Sequence, residues 1–308
     1  YKRQSIDILL NEKTEVNDLR PYIDTIRRVK SASEIQYMQE AASIASSAHE
    51  KAMRNSRPGM GEWEIQAMVE GHFMSSQSQW SFPSIVGGGD NATVLHYKDN
   101  NQVIGSGDLV LVDAGCEVSG YASDITRTWP VNGRFSQPQR EIYNLVLKAE
   151  LAGIEACQPG MPWVSMHEAV CVTIAEGLIE LGVLNCTLED ALGRVAGKPG
   201  VFEGQIRNFF MHGTGHFLGL DVHDVGGGRQ GDPNSSFLLE PGMVLTIEPG
   251  LYFGSWRNDI LIPERYAGIG IRIEDDVLVT EQGPFVLSSS CPKMLDEIEQ
   301  IVGRGEHN

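Results

Sequence analysis

The sequence predicts an α+β fold built from two pseudo-symmetric halves, and three observations carry that expectation. Residues 107–115 (GDLVLVDAG) and 242–250 (GMVLTIEPG) each run from Gly through an apolar strand to a carboxylate, Asp113 or Glu248, with another Gly two residues later. A second pattern follows in each half, Gly120-Tyr121-Ala122-Ser123-Asp124 and Gly270-Ile271-Arg272-Ile273-Glu274, again ending on a carboxylate. Each set of strands is also preceded by the same layout, two helical stretches separated by Pro-Gly-Met at 58–60 or 159–161.

The elements follow in order. Ser31 with Glu34 forms a capping box, and Ile35, Met38, Ala42, Ala45 and Met53 give the helix behind it an apolar stripe. The turn at 58–60 leads into a helix over Trp63–Phe73. Asp108–Cys116 and Tyr121–Trp129 alternate as strands around a short turn, Glu117–Gly120. Helices follow over Gln137–Ala156 and Val164–Leu181, the second burying Val170, Ile174, Leu178 and Leu181 on one face. In Gly268–Glu274 the isoleucines face one way, and Arg272 and Glu274 the other. The Gly-rich segment 226–231 reads as a flexible loop near a site. It lacks the lysine and the strand-to-helix setting of a phosphate loop.

Four carboxylates on apolar strands need a counter-charge. Asp113 and Asp124 lie at equal distances from the centre of the first turn, which in an unbulged hairpin makes them cross-strand partners with Cβ atoms about 5 Å apart. Two half-buried carboxylates there repel by about 4 kcal/mol in a medium of effective dielectric about 20. Such a pair persists if it shares a proton or binds a cation. Glu248 closes a strand where a side chain can face a cleft. Asp275 and Asp276 read as exposed or structural neighbours rather than ligands.

Three histidines cluster in MHGTGHFLGLDVHD: His212, His216 and His223. Gly213 and Gly215 argue against a regular helix there. Beside four carboxylates, one histidine is expected as a ligand and the others as acid/base or substrate groups. His96, at the end of an apolar run, is a fourth candidate, whereas His49, His72 and His167 fall in helical stretches and read as ordinary residues. Four carboxylates and one imidazole make a hard, oxygen-rich site suited to manganese, magnesium or cobalt. Two divalent ions would balance the four carboxylates and activate water for hydrolysis, although spacing alone does not count the ions.

The stretches LHY (95–97), DAGCEVSGYASDITRTWPVNG (113–133), MHGTGHFLGLDVHDVG (211–226), EPGMVLTIEPGLY (240–252) and GIGIRIEDDVLVT (268–280) resemble the Xaa-Pro aminopeptidases, or aminopeptidase P, of the pita-bread metallopeptidases. The resemblance runs from about Ser31 to about Ile298. It implies the pita-bread fold, two halves around a curved antiparallel sheet. It also implies a centre of two divalent ions, manganese first, with cobalt, magnesium or zinc as alternatives. Asp113 would chelate one ion, Asp124 and Glu274 would bridge both, and His216 and Glu248 would complete the second. His96 and His223 correspond to histidines that contact substrate and assist proton transfer. His212, Tyr252 and Arg272 correspond to residues lining the pocket for the proline after the scissile bond. Trp80, Trp256 and Tyr97 either shape the pocket for the preceding residue or serve packing.

The implied reaction is hydrolysis between an N-terminal residue and a following proline. A proline-dipeptide hydrolase of the prolidase type is the alternative, and a non-catalytic binding protein on the same fold a more distant one. A two-metal phosphoesterase would need more cationic residues than Arg272 alone. Residues 31–308 form the catalytic domain in this reading, and residues 1–30 a remnant of an N-terminal domain or a linker. A homo-oligomer is expected where that preceding domain is present. The net charge of −17, from 24 basic and 41 acidic residues, argues against nucleic acid or an anionic membrane as partner. Five cysteines at 116, 157, 171, 186 and 291 show no metal spacing. They fit a reducing cytoplasm, with a targeting sequence ahead of Tyr1 left open.

Overall fold

The computed structural model describes residues 17–225 and 237–305. The Gly-rich segment 226–231 and the first part of the 1–30 segment lie outside them. Within 17–30, where a linker was expected, Arg20–Arg28 forms a helix, α1.

The first half begins with α2 (Ala32–Asn55) and α3 (Glu62–Ser75). The Ser31/Glu34 capping box is formed in both directions. Met38, Ala42, Ala45 and Met53 are buried as the stripe required, together with Ala41, Ala48 and Ala52. The strands of this half are β1 (Gln79–Trp80), β2 (Ile85–Gly88), β3 (Leu109–Ala114), β4 (Cys116–Val118), β5 (Tyr121–Ala122) and β6 (Ile125–Pro130). They pair antiparallel in the orders β2-β3-β6 and β1-β4-β5.

The second half repeats the layout. It has α4 (Gln137–Glu155), α5 (Val164–Glu180) and the short α6 (Leu188–Leu192). The strands β7 (Val244–Ile247), β8 (Gly250–Phe253), β9 (Ile269–Arg272), β10 (Asp275–Thr280) and β11 (Gly283–Val286) follow, and α7 (Leu295–Ile301) closes the described chain. These strands pair antiparallel as β11-β10-β7 and β8-β9. The matching glycines ahead of β3 and β7, Gly107 and Gly242, adopt φ of 93° and 94°. Both fall in a region that side chains avoid, so the repeat seen in the sequence is also a repeat of backbone shape.

The first hairpin departs from the expected register. The connection is the two-residue Ser119–Gly120 turn, with φ of 53° and 85°, flanked by the Val118↔Tyr121 pair. Such positive-φ turns match the strand twist, and this one moves the centre of the hairpin by one residue. Asp113 therefore faces Thr126, not Asp124. Asp124 lies two residues from Thr126 and so shares its face. The two aspartates are diagonal neighbours rather than direct partners.

The halves are stitched along β6. Thr126 bridges Glu274, whose N–H donates to the Thr126 carbonyl at 3.1 Å. Arg127, fully buried, uses all five of its N–H donors here. Nε donates to the Pro292 carbonyl at 3.1 Å, and Nη1 to the carbonyls of Thr126 and Glu274 at 3.0 and 2.6 Å. Nη2 donates to Asp275 Oδ1 at 2.7 Å and to the Cys291 carbonyl at 3.1 Å. One apolar core runs through both halves, from Ala45 and Val112 to Leu251 and Ile271.

Replacing Arg127 by Met leaves Asp275 short of a charge and four carbonyls short of donors. The expected loss is about 3–5 kcal/mol, read by urea unfolding at neutral pH. A loss under about 1 kcal/mol, the level of an ordinary surface change, would refute the role of Arg127 as the link between halves.

Candidate metal centre

Strand alternation and strand ends aim the acidic side chains into one cavity of about 960 Å³. Its wall includes nine of the ten residues singled out in the sequence: His96, Asp113, Asp124, His212, His216, His223, Glu248, Arg272 and Glu274. Tyr252 does not reach the wall. It is buried behind it, where its hydroxyl accepts from Arg272 Nη1 at 3.0 Å and meets His212 Nε2 at 2.8 Å.

The carboxylates arrive by different routes. Asp113 is on β3 and Asp124 just ahead of β6. Glu248 lies in the joint between β7 and β8, its N–H donating to the Thr214 carbonyl at 2.7 Å. Glu274 lies in the joint between β9 and β10. Burial pushes Asp124 well above the usual carboxylate range, and the charges of Glu274, Asp113, Asp276 and Glu248 push it further. Burial likewise raises Glu274 well above its usual range, with Glu248 and Asp113 adding to the shift. Burial raises Glu248 to about 8, with Arg272 opposing and Asp113 reinforcing. These groups resist ionising together unless positive charge joins them.

Among the described residues, exposed Lys98 and buried Arg272 are the lysine and arginine that line the cavity, against four carboxylates. Arg272 donates Nη2 to Asp113 Oδ2 at 2.6 Å and Nε to Thr126 Oγ1 at 3.2 Å. Burial holds His216 down to about 4, with His223 adding to the effect, so its ring is neutral. Its Nδ1 lies 3.0 Å from the Phe217 carbonyl, so the proton sits there. That leaves the Nε2 lone pair facing Asp124 Oδ2 at 3.5 Å and Glu248 Oε1 at 3.7 Å. Both separations exceed an ordinary hydrogen bond, so neither carboxyl group engages the lone pair.

The donor set fits a divalent ion. Asp124, His216 and Glu274 each offer a ligand atom, and the three atoms lie within 4.8 Å of one another. Asp113 Oδ1 and Asp124 Oδ1 are buried without a hydrogen-bond partner among the described residues. Orphaned buried acceptors are rare without a bound ion or water. Asp113 and Glu248 line the same cavity, and Asp113 is turned to Arg272.

Several supporting residues were not read from the sequence. Thr126 donates Oγ1 to Glu274 Oε2 at 2.5 Å. It sits opposite Asp113 and two residues past Asp124, so alternation alone could have identified it. Asp275 and Asp276 are buried rather than exposed. Asp276 accepts the Asp124 backbone N–H at 3.2 Å, and Asp275 pairs with Arg127 and with Lys293 Nζ at 2.5 Å. Both are structural neighbours. His167 Nδ1 lies 2.7 Å from Thr214 Oγ1, between the histidine segment and α5. Trp80, Trp256 and Tyr97 are absent from the cavity wall, where Phe82, Pro83 and Leu95 are found instead. Trp256 donates Nε1 to Thr93, and the Tyr97 hydroxyl donates to Glu62 Oε2, both at 2.9 Å.

An α+β fold with duplicated halves around a buried acidic cavity defines a class of metal-dependent hydrolase. Residues 36–281 match the model of metallopeptidase family M24, and the chain belongs to that family. It is 44% identical over 301 residues to a Xaa-Pro aminopeptidase of Haemophilus influenzae, covering 96% of this chain and 66% of the relative. Zinc-substituted Escherichia coli aminopeptidase P in complex with product superposes with a TM-score of 0.84 at 43% identity, over 92% of this chain and 61% of that one. Aminopeptidase PepP of Pseudomonas aeruginosa gives 0.87 at 40% identity, over 97% and 65%. The fold is the pita-bread fold, and the chain spans about two thirds or less of the length of these relatives.

The Thr126→Val substitution removes the hydroxyl that orients Glu274 while keeping its shape. Manganese affinity is expected to fall about 10–100-fold, the usual effect of losing a partner of a metal ligand, measured by calorimetric titration of chelator-treated protein. An unchanged affinity would mean that Glu274 needs no such support.

Proposed function

We propose that this chain carries the active centre of a Xaa-Pro aminopeptidase, hydrolysing the bond between an N-terminal residue and a following proline. The observation that carries this reading is the gathering of nine of the ten singled-out residues in one cavity, in a chain 44% identical to a Xaa-Pro aminopeptidase. Asp113, Asp124, His216, Glu248 and Glu274 would hold two divalent ions, manganese first. When bound, such ions polarise a carbonyl and make water nucleophilic near neutral pH.

The chain's own residues would do the rest. The bond to proline has no N–H, and the ring constrains the backbone. The substrate must therefore be held by shape and by its other polar atoms. Arg272 and His212 are fixed for this by Tyr252, whose hydroxyl joins them into one hydrogen-bonded chain. Burial lowers His212 to about 3, with Arg272 adding to the shift. It therefore stays neutral beside Arg272 and offers shape and a fixed dipole rather than charge. Once the bond breaks, the proline nitrogen must gain a proton, which His96 and His223, two cavity histidines outside the proposed ligand set, would deliver. Phe82, Pro83 and Leu95 give the cavity an apolar stretch of wall for side chains flanking the bond.

The acidic balance of the chain and its five free cysteines support a cytoplasmic enzyme acting on free peptides. No described helix is long and apolar enough to cross a membrane. We also infer that residues 31–308 act as the catalytic domain, that 1–30 are a remnant of an N-terminal domain or a linker, and that copies associate if that N-terminal domain is present.

Two measurements test the reading. Chelator-treated protein should be inactive and regain cleavage of a Xaa-Pro-Xaa tripeptide with manganese. Cleavage of Xaa-Pro dipeptides alone would make it a dipeptidase instead. His223→Ala should keep its metal, by elemental analysis, while kcat falls by about 10²–10⁴, the range for lost acid/base help. Loss of metal in that variant would make His223 a ligand.

A further inference from the structure

His216 and His223 immediately precede the two ends of a short loop, residues 217–224. The neck of that loop is closed by the Asp224 N–H, which donates to the Phe217 carbonyl at 2.9 Å. The closure brings the two rings edge to face, with centroids 4.4 Å apart. The Phe217 side is tied to the second-half sheet, where Leu218 N–H donates to the Val244 carbonyl at 3.1 Å.

The Asp224 side is held by its carboxylate. Oδ1 accepts from the Val225 N–H at 2.9 Å and from Arg27 Nη2 at 2.5 Å. Oδ2 accepts from Lys30 Nζ at 3.2 Å, and the Lys30 and Asp224 side chains are each only 1% exposed. The same ammonium lies 5.9 Å from the centroid of the Phe217 ring. One cation thus meets both residues at the neck, each the immediate neighbour of a cavity histidine. The loop is folded tightly over the pair: a Cβ on Gly219 would stand 2.2 Å from Asp224 Oδ2 and 3.0 Å from Lys30 Cε.

Lys30 has a rigid base. Its N–H donates to the Gly242 carbonyl at 2.8 Å, and Val29 bridges Met243 at the start of the second-half sheet. It does not line the cavity, and it lies outside residues 36–281 that match the family model. A buried ion pair is a poor source of stability but a good device for fixing one arrangement.

We propose that Lys30 is a positioning residue for His223: through Asp224 it fixes the loop that sets the His223 ring beside His216, without touching substrate. This rests on the reading of His223 as a proton-handling group. A purely structural lysine would weaken the fold equally whether or not His223 is present.

The test uses the manganese-loaded full chain and a Xaa-Pro-Xaa tripeptide. Lys30→Met strands a buried carboxylate, so Lys30→Met/Asp224→Asn, which keeps an acceptor for Val225 and Arg27, is measured beside it. Either variant should lower kcat by about 10–100-fold, the scale of a misplacement near 1 Å, with KM and bound metal little changed. In a His223→Ala background the same substitutions should cost less than about twofold, because coupled residues do not add. Lys30→Arg, keeping the charge, should recover part of the loss. Independently of activity, the His223 ring signals in NMR of the zinc-loaded protein, whose ion is diamagnetic, assigned by their absence from His223→Ala, should shift in the double variant. An equal loss in both backgrounds, or unmoved ring signals in folded variants, would overturn the proposal. If the wild-type chain cleaves no proline peptide, the functional reading fails, and the ring signals alone decide the role of Lys30.

Discussion

The constraint on which this structure depends is the crowding of four carboxylates, two buried and two half-buried, along one cavity wall. Asp113, Asp124, Glu248 and Glu274 share a cavity wall with one guanidinium and no charged imidazole ligand. Burial and neighbouring charge suppress the ionisation of Asp124, Glu248 and Glu274. A chain that only had to fold would lose nothing by placing apolar groups there. Keeping all four makes sense if a cation completes the site.

The scaffold is organised around holding those charges in place. Neither half can build the site alone, because Asp113 and Asp124 come from one and Glu248 and Glu274 from the other. The seam between the halves is correspondingly polar and fully bonded. Arg127 fills every donor across it, and Thr126 joins Glu274 by backbone and side chain together. Thr126 also accepts from Arg272, which in turn reaches Asp113 and Tyr252. Through these bonds, Asp113, Glu274, Arg272, Tyr252 and His212 belong to one hydrogen-bonded unit.

Much of this was legible in the sequence where the information is local. The Ser31/Glu34 cap, the alanine-rich stripe of α2 and the alternation of Arg272 and Glu274 against the isoleucines follow from periods of 3.6 and 2. The duplicated Gly-strand-carboxylate pattern predicted a shared acidic site. The register of the first hairpin did not follow, because a four-residue turn was read where Ser119–Gly120 makes a two-residue one. A one-residue shift of the turn centre kept the face and lost the partner. Asp275 and Asp276 were open to two readings because their burial depends on Arg127 and Asp124, about 150 positions away. The Lys30–Asp224 pair was invisible for the same reason, its members lying 194 positions apart. Tyr252 was assigned to the pocket, yet its hydroxyl is consumed by His212 and Arg272 behind the wall. Residue type predicts reach; only packing decides direction.

The central claim is that these acidic groups share a cationic centre. Crystals of the protein grown with manganese, with diffraction measured on both sides of the manganese absorption edge, address it most directly. The account predicts strong anomalous density inside the cavity, in contact with Asp124, His216 and Glu274. Density confined to the molecular surface, or a cavity holding only water with its carboxylates turned apart, would contradict it.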